Sequence, residues 1–380
     1  MIAGHLAKSP AVHELVVADV DDSAVRNLVA RVGGGPKVHG MTLDAGDPRA
    51  LERALSGTKV VVQASLPRFN AVVQSAALTA GTNYIDMAAD SADPYTVSAE
   101  WERHGLVGIV GMGEDPGLSN LMARYAADRL DRVESIRVRD GDTATSPDLA
   151  FLPLFSPETF IGETLNPSRI WEGGKYRNVP PFGEGETYEF PAPVGPQKVY
   201  SVDHEEVDSL PRFIGKGVQY VDFKLALDDA TRRTLELLRD LKLLETGTPD
   251  APGPRRAVLK ALPKPAELAG KVDGYAALVV ETVGESKGVR TQHTLFTALG
   301  HRAAFDRYRS TATAYLTGTP TAVAVILLLE GTIRERGFLA PESLSPDPFF
   351  LKLRELGIPV TERLTSERTV GSSDGSSPTK

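Results

Sequence analysis

The chain of 380 residues contains no cysteine. Disulfide bridges, thiolate nucleophiles and thiolate metal sites are therefore excluded. Long apolar runs are also missing: the longest, residues 322–329, is far shorter than the roughly 20 residues that cross a bilayer. Residues 1–10 lack the charged start and the apolar core of a signal peptide, so we expect a cytoplasmic protein that does not bind membranes.

Positive charge does not predominate either. The sequence has 42 basic and 50 acidic residues, a net charge of -8 and a pI near 5.5. This balance argues against nucleic acid as a partner, but not against an anionic cofactor, which helix ends and backbone dipoles bind locally. The 7 histidines show no H-x-x-x-H or similar spacing, so we expect no metal site.

Short apolar runs alternate with helical patterns in the first third of the chain. This alternation predicts a doubly wound parallel sheet, the Rossmann-type α/β fold, in which ligands bind at the carboxyl ends of the strands. The domain would cover residues 1–118. Its expected strands are residues 15–19, 37–43, 59–65, 83–87 and 106–111.

The first of these runs predicts a buried strand that ends on Asp19. In a dinucleotide-binding βαβ unit, the second strand ends on an acidic residue that accepts hydrogen bonds from the adenosine ribose. A carboxylate there disfavours a 2′-phosphate, so we expect NAD rather than NADP; the alternative is an ordinary turn or cap aspartate. The glycine-rich phosphate loop belongs about 20 residues upstream, yet only 18 residues precede Asp19. We therefore expect the first strand and its loop to be absent from this chain.

Other candidates for cofactor contact also follow predicted strands. The turn after residues 59–65 would lie beside the nicotinamide end of the crevice, or would only start a helix. Residues 111–120 (GMGEDPGLSN) combine close backbone approach at glycine with a fixed Asp-Pro turn, which favours an active site over a mere hinge between domains. The candidate cofactor-binding residues are Ser65, Leu66, Pro67, Asn70, Asp86, Gly111 and Gly113.

The pattern of apolar and polar residues changes after residue 118. Runs of period 2 predict a mostly antiparallel or mixed sheet, and hence an α+β substrate domain over residues 119–316. Within it, residues 151–196 indicate irregular loops over a cleft, and residues 246–265 a connector rich in proline and glycine. Residues 317–360 predict helices, and residues 361–380 a disordered tail.

Polar residues in loop-like contexts are the candidates for chemistry. Chemistry on an amino acid needs a guanidinium for the carboxylate and a group of near-neutral pKa that moves a proton on nitrogen. Candidate catalytic residues are Glu163, His204 and Asp115, and candidate substrate-binding residues are Arg212 and Lys216. Each of them has the plainer alternative of a surface charge.

The pattern resembles the saccharopine dehydrogenase-like family. The resemblance covers residues 1–360, and its middle part is most similar to the lysine 6-dehydrogenase members. The segments that carry it are VVADVD at 17–22, VVVQASLPRFN at 60–70, AALTAGTNYIDMA at 76–88, GMGEDPGLSN at 111–120 and TGTPTAVAVILLLEG at 317–331.

This resemblance implies an NAD(P)-dependent oxidoreductase that transfers hydride at an amine-bearing carbon of an amino acid, through an imine. It also implies a homodimer, and C-terminal helices that pack back on the Rossmann domain. An NADP-linked reductase of saccharopine or carboxynorspermidine type is the alternative within the family. The absent loop is explained either by a true start some 15–20 residues upstream, which we favour, or by a non-catalytic dimeric relative that has lost cofactor binding.

Overall fold

The structure is a computed structural model that describes residues 1–33, 35–89, 93–247 and 253–367. In the first domain, helices and strands alternate as the sequence predicts. The helices are α1 Ile2–Lys8, α2 Asp22–Val32, α3 Pro48–Leu55, α4 Asn70–Ala80 and α5 Ser98–Arg103. The strands are β1 Leu15–Asp19, β2 Val38–Thr42, β3 Val60–Gln63, β4 Asn83–Asp86 and β5 Val107–Ile109.

The helix ends follow from local chemistry. Asp21 and Asp47 each cap a helix by accepting two backbone N–H groups of its first turn. Helix α4 stops at Gly81, which has φ of 69°, a left-handed conformation that glycine adopts without a steric penalty.

Within the described residues, the parallel strands of this domain form two separate sheets. One contains β1 and β2, and the other contains β3, β4 and β5. No described strand joins β1 to β3, and the absence of the first strand of the fold from the chain stays a prediction. The prediction that β1 is buried is wrong: none of its 5 residues is buried, and Val16 keeps 47% of its surface exposed. The cause is that β1 has only one neighbouring strand.

The second domain is built on a mixed sheet, as predicted. Its helices are α6 Leu118–Asp128, α7 Pro157–Leu165, α8 Glu206–Ile214, α9 Asp229–Asp240, α10 Arg255–Ala261, α11 Pro265–Leu268 and α12 His301–Tyr308. Its strands are β6 Arg132–Asp142, β7 Ser168–Glu172, β8 Lys175–Val179, β9 Glu186–Phe190, β10 Gly195–Ser201, β11 Tyr220–Ala226, β12 Tyr275–Ser286 and β13 Val289–Gly300. The pair β6 and β11 is parallel, whereas β12 is antiparallel to both β6 and β13.

Two segments are more regular than the sequence predicts. Residues 151–196 were expected to be loops but contain α7, β7, β8 and β9 and the start of β10. Residues 246–265 were expected to be a connector but contain α10; residues 248–252 lie outside the described residues. In both segments, pairing with neighbouring strands or packing on the core outweighs a composition rich in proline and glycine.

The C-terminal segment returns to the first domain. It contains α13 Ala312–Leu329, β14 Gly337–Leu339, α14 Pro346–Glu355 and β15 Thr361–Glu367. Helix α13 packs against α1, and β14 extends the sheet of the first domain by pairing parallel to β5. The prediction of a disordered tail from residue 361 is wrong for residues 361–367, because β15 pairs antiparallel to β13. The rest of the predicted tail, residues 368–380, lies outside the described residues.

Among the described residues, only α13 is long and apolar enough to cross a membrane by length and composition. Of this stretch, 72% is buried inside the protein. The helix is apolar all round because it is surrounded by α1, α12 and α14.

The attachment of β14 gives a stability prediction. Phe338 is 2% exposed, and its ring lies 5.8 Å from that of Tyr84 and 5.1 Å from that of Trp101. Truncation leaves a cavity between these rings, so Phe338→Ala should lower the free energy of unfolding by about 3–5 kcal/mol. Urea denaturation measures this loss.

The matched control is Leu351→Ala, since Leu351 is 52% exposed. Its effect should stay within about 0.5 kcal/mol. Equal losses for the two variants would show that β14 is not part of the cooperative core.

Candidate active site

The turn between β5 and α6 brings the two domains together. Its Asp115–Pro116 peptide bond is cis, and Gly113 N–H donates to the Pro116 carbonyl at 2.7 Å. A Cβ on Gly117 would lie 2.3 Å from the Gly113 oxygen. The turn is therefore tight, and it places Asp115 and the first turn of α6 at the domain boundary.

His204 and Glu206 form the buried centre of the site. The His204 Nδ1 atom is hydrogen-bonded to Glu206 Oε2, and the imidazole stacks on the Phe223 ring at 3.8 Å between centroids. Ser119 Oγ, on the first turn of α6, donates to Glu206 Oε1 at 2.6 Å. Burial alone would lower the pKa of His204. The nearby carboxylates of Glu206, Glu205 and Glu163 have the larger, opposite effect, so the pKa of His204 lies well above its ordinary value. The buried pair therefore favours an imidazolium beside a carboxylate.

The network continues behind this pair. Asn120 Nδ2 donates to Glu342 Oε2 at 2.9 Å and to Ser209 Oγ at 3.1 Å. Burial raises the pKa of Glu342 to about 7, and its other carboxyl oxygen has no hydrogen-bond partner among the described residues. The segment after β14 thus contributes a buried carboxyl to the site.

A second group of carboxyls lies around His204. Burial raises the pKa of Asp140 to about 7, and repulsion from Asp142 raises it as well. Burial raises the pKa of Asp115 well above its usual range, and repulsion from Asp140 adds to the rise. A nearby like charge disfavours ionisation of either acid.

Glu163, on α7, is the third member of this group. Burial raises its pKa to about 8, and His204 opposes that shift. Asp115, Asp140 and Glu163 are partly buried residues, and one carboxyl oxygen of Asp115 is buried without a hydrogen-bond partner among the described residues. The structure thus brings the three candidate catalytic residues, Asp115, Glu163 and His204, into one electrostatically coupled cluster.

His204, Glu205 and Glu206 also offer ligand atoms within 4.8 Å of one another, a spacing that a metal ion needs. His204 Nδ1 is already bound to Glu206, so a metal would have to break this hydrogen bond. The expected absence of a metal site stays a prediction.

The two candidate substrate-binding residues lie in different places. Arg212 lines a cavity of about 250 Å³ at the end of β4, where its Nη1 donates to Asp93 at 2.9 Å. Lys216 does not line that cavity. Its Nζ donates to the carbonyls of Ala127 and Leu130 at 2.7 Å each. Lys216 therefore caps the end of α6, and the geometry gives it no part in substrate binding.

The candidate cofactor residues divide into an exposed and a buried set. Asp19 is exposed at the carboxyl end of β1, and Ser65, Leu66 and Pro67 form a partly exposed turn after β3. These positions fit a dinucleotide: a carboxylate for the ribose, and a backbone turn on the side where the nicotinamide end would lie. The described residues provide no glycine-rich turn for the pyrophosphate.

The buried set has structural partners instead. Asn70 Nδ2 donates to the Ala88 carbonyl at 2.7 Å, and Asp86 accepts hydrogen bonds from Tyr84, Asn70 and Gly111. A Cβ on Gly111 would lie 2.8 Å from the Pro116 ring, and one on Gly113 3.1 Å from the Pro116 carbonyl oxygen. The geometry therefore gives the Asn70 and Asp86 side chains a role in joining β3, β4 and β5, and explains both glycines by packing alone.

Sequence reasoning singled out the stretch 111–120, which contains Ser119 and Asn120, but it missed Asp140, Glu205, Glu206 and Glu342. A signal existed for Asp140, since it continues the apolar face that Ile136 and Val138 form along β6. A carboxylate at a core-facing strand position is unusual. Glu342 has no comparable signal, because its burial depends on the return of the C-terminal segment.

Comparisons with known proteins identify the family. The sequence model of the saccharopine dehydrogenase NADP binding domain matches residues 1–108, and that of the saccharopine dehydrogenase C-terminal domain matches residues 113–358. Carboxynorspermidine synthase of Vibrio alginolyticus is 29% identical over 79% of this chain and 76% of its own. Carboxyaminopropylagmatine dehydrogenase of Synechocystis is 26% identical over 86% of this chain and 85% of its own.

Two solved structures share the fold. Saccharopine dehydrogenase (L-Glu forming) from Saccharomyces cerevisiae has a TM-score of 0.72 at 17% identity, over 96% of this chain and 97% of that one. Homospermidine synthase from Legionella pneumophila, solved with NAD, has a TM-score of 0.65 at 14% identity, over 96% and 88%. The match to lysine 6-dehydrogenase in particular stays a prediction. Since the family models together match most of its length, the chain belongs to the saccharopine dehydrogenase family of nicotinamide-dependent enzymes.

Proposed function

We propose that the protein is an NAD-dependent oxidoreductase that makes or breaks a carbon–nitrogen bond of an amino acid or a carboxylated polyamine, through an imine. One observation carries this proposal: the partly buried carboxyls of Asp115, Asp140 and Glu163, all with raised pKa, lie around the buried His204–Glu206 pair, next to the turn that leaves the dinucleotide-binding domain. Perturbed acids gathered in a cleft are typical of acid–base catalysis.

The chemistry divides between the cofactor and the chain. A bound nicotinamide supplies or accepts the hydride at the carbon that carries nitrogen. In the direction that forms the bond, an amine adds to a carbonyl, and the adduct must lose its hydroxyl as water. Glu163 has a pKa of about 8, so at neutral pH it holds the proton that this departure needs. Asp115 and Asp140 both have a raised pKa, so they can hold a proton and return it at the substrate nitrogen.

The substrate class, an amino acid or a carboxylated polyamine, is also a proposal. Lysine or saccharopine was the first expectation from the sequence. The relatives at 26–29% identity are named for carboxynorspermidine and carboxyaminopropylagmatine, and their names favour a carboxylated polyamine over lysine. Arg212 stays a candidate for a substrate carboxylate, although such a group would have to share the guanidinium with Asp93.

NAD rather than NADP remains our proposal, on the exposed carboxylate of Asp19. The name of the matching domain mentions NADP, whereas a carboxylate at the end of this strand disfavours a 2′-phosphate. The homodimer and the cytoplasmic location are likewise proposals.

The reaction is tested by incubating the protein with NADH, an α,ω-diamine and an aldehyde of an amino acid, with each component omitted in turn. Oxidation of NADH that needs both amine and aldehyde, with a coupled product in the mass spectrum, supports the proposal. Oxidation of lysine with NAD would instead favour the lysine 6-dehydrogenase type. Turnover with neither would refute the function.

The role of Glu163 predicts a change in the pH profile. Its acid form is present below pH 8 and is lost above it, so kcat/KM in the bond-forming direction should fall as the pH rises through about 8. Glu163→Gln should lower kcat about 100-fold or more and remove this limb of the profile. Glu158→Gln is the control, because Glu158 is exposed on the same helix. A limb that persists in Glu163→Gln would assign it to another group.

The role of Asp19 predicts a change in cofactor preference. Loss of a charge-assisted hydrogen bond to the ribose should make Asp19→Ala bind NADH about tenfold more weakly. Binding of NADPH should stay unchanged or improve, since a repulsive charge is removed. Titration of cofactor fluorescence measures both affinities. Asp44→Ala, an exposed carboxylate beyond the end of the next strand, serves as control, and an unchanged NADH affinity in Asp19→Ala would disprove the ribose assignment.

A further inference from the structure

Three elements meet beside the cluster of acids around His204. Strand β6 ends on Asp142, helix α12 begins with His301, and helix α13 begins with Ala312. Asp140 and Asp142 are two residues apart on β6, so their side chains lie on the same face of the sheet. The junction of the three elements therefore lies next to one of the acids of the cluster.

His301 is held in one tautomer. The residue is 1% exposed. The Ala312 N–H, one of the donors at a helix start that have no acceptor within the helix, donates to His301 Nδ1 at 3.1 Å. Because a backbone N–H can only donate, Nδ1 carries no proton and the ring proton is on Nε2. His301 Nε2 lies 3.2 Å from Asp142 Oδ2, so it donates to this carboxylate.

The Asp142 carboxylate has donors on both of its oxygens. Besides His301, the Ala144 N–H donates to Oδ1 at 2.6 Å, and Thr313 Oγ1 donates to Oδ2 at 3.3 Å. An ionised carboxylate is an acceptor only, so three donors are the surroundings that suit its charged form. The donors come from the chain after β6, from α12 and from α13, and together they fix the direction of the carboxylate.

The neighbouring acids are less well supplied. Glu114 is 3% exposed, and one of its carboxyl oxygens is buried without a hydrogen-bond partner among the described residues. Burial raises the pKa of Glu114 well above its usual range, and Asp140 and Asp142 add to the rise. Burial raises the pKa of Asp140 to about 7, and repulsion from Asp142 is the next cause. The negative charge at this end of the cluster therefore belongs to Asp142.

Charged groups face Asp140 from several directions. His204 opposes the rise in the pKa of Asp140, whereas Asp142 and Glu206 add to it. Removal of the charge of Asp142 alone should therefore lower the pKa of Asp140. The facing groups are Asp142 on the same strand, Glu114 and Asp115 before α6, Glu163 on α7, and His204 and Glu206 at the start of α8.

From these contacts we infer that His301 and Asp142 are a positioning pair for the acid–base chemistry. His301 holds the Asp142 carboxylate in place beside Asp140, and this fixed negative charge keeps Asp140 a proton donor. The inference rests on the proposed function and adds to it two residues that act through Asp140. A pair that only joined β6 to α12 and α13 would affect stability and leave the titration of Asp140 unchanged.

Titration of Asp140 tests the pair without turnover. In the full chain labelled with carbon-13 at the aspartate carboxyls, NMR follows each carboxyl against pH, and Asp140→Asn identifies the resonance of Asp140. Asp142→Asn keeps the size of the side chain and removes its charge. We expect the midpoint of Asp140 to fall from about 7 by about one pH unit or more. Asp306→Asn, at an exposed position of α12, is the control and should leave the midpoint unchanged.

Two amides test the histidine. The amide nitrogen of glutamine reaches about as far as Nε2 of histidine, whereas the amide of asparagine reaches about as far as Nδ1. His301→Gln can therefore still donate to Asp142, but His301→Asn can only keep the contact with the Ala312 N–H. His301→Asn should lower the midpoint of Asp140, because an Asp142 carboxylate without this donor turns away or takes up a proton. His301→Gln should restore most of the original midpoint.

The pH profile of the reaction should show the same shift. The acid form of Asp140 is present below its pKa and is lost above it. A limb of kcat/KM near pH 7 in the bond-forming direction should therefore move to lower pH in Asp142→Asn. The limb near pH 8 that belongs to Glu163 should remain above it.

The outcomes separate the pair from the function. An unchanged midpoint of Asp140 in an Asp142→Asn variant that circular dichroism shows to be folded overturns the inference, as does an equal shift in Asp306→Asn. Equal shifts in the two His301 variants overturn the role of the histidine. If Asp142→Asn does not fold, Thr313→Val removes one donor from the same carboxylate and should shift the midpoint in the same direction. A shifted midpoint without turnover leaves the pair and refutes the reaction; turnover with an unshifted midpoint does the reverse.

Discussion

The buried contact between the first turns of α6 and α8 holds the candidate active site together. Ser119 donates to Glu206, which in turn holds the imidazole of His204. Glu206 is the first residue of α8, where unpaired backbone N–H groups and the helix dipole favour a negative charge. Loss of one partner would leave the other charge buried and unpaired, at a cost of about 3–5 kcal/mol. The pair therefore fixes how α6 and α8 meet within the second domain, and Glu206 favours the charged form of the histidine.

Around this pair, some buried carboxyls have hydrogen-bond partners and others do not. Ser119 donates to Glu206, and Asn120 donates to Glu342 and to Ser209. One carboxyl oxygen of Asp115 and one of Glu342 have no partner among the described residues. A buried polar group without a partner is costly, so the described residues leave the cluster only partly satisfied.

The sequence predicted the first domain well because the period of its apolar residues matches its elements. All five expected strands are present within a few residues. Composition misled us at residues 151–196, where β7–β10 form in spite of many prolines and glycines. Polar residues near strand ends predicted the members of the candidate active site least well. Asp115 and Glu163 belong to the cluster, whereas Asn70 and Asp86 bind neighbouring strands and Lys216 caps a helix; only tertiary contacts separate these cases.

The return of the chain through β14 makes the first domain discontinuous in sequence. The Phe338 ring fills the space over Gly108 that a side chain would otherwise occupy, since a Cβ there would lie 2.1 Å from it. A fragment that ends after β5 would lack this cover and expose Tyr84 and Trp101 to water. The dinucleotide-binding part is therefore not an independent module that could be cut out or exchanged at one point. The chain passes between it and the substrate domain three times, after β5, before β14 and between β14 and β15, and these crossings restrict any relative rotation of the domains.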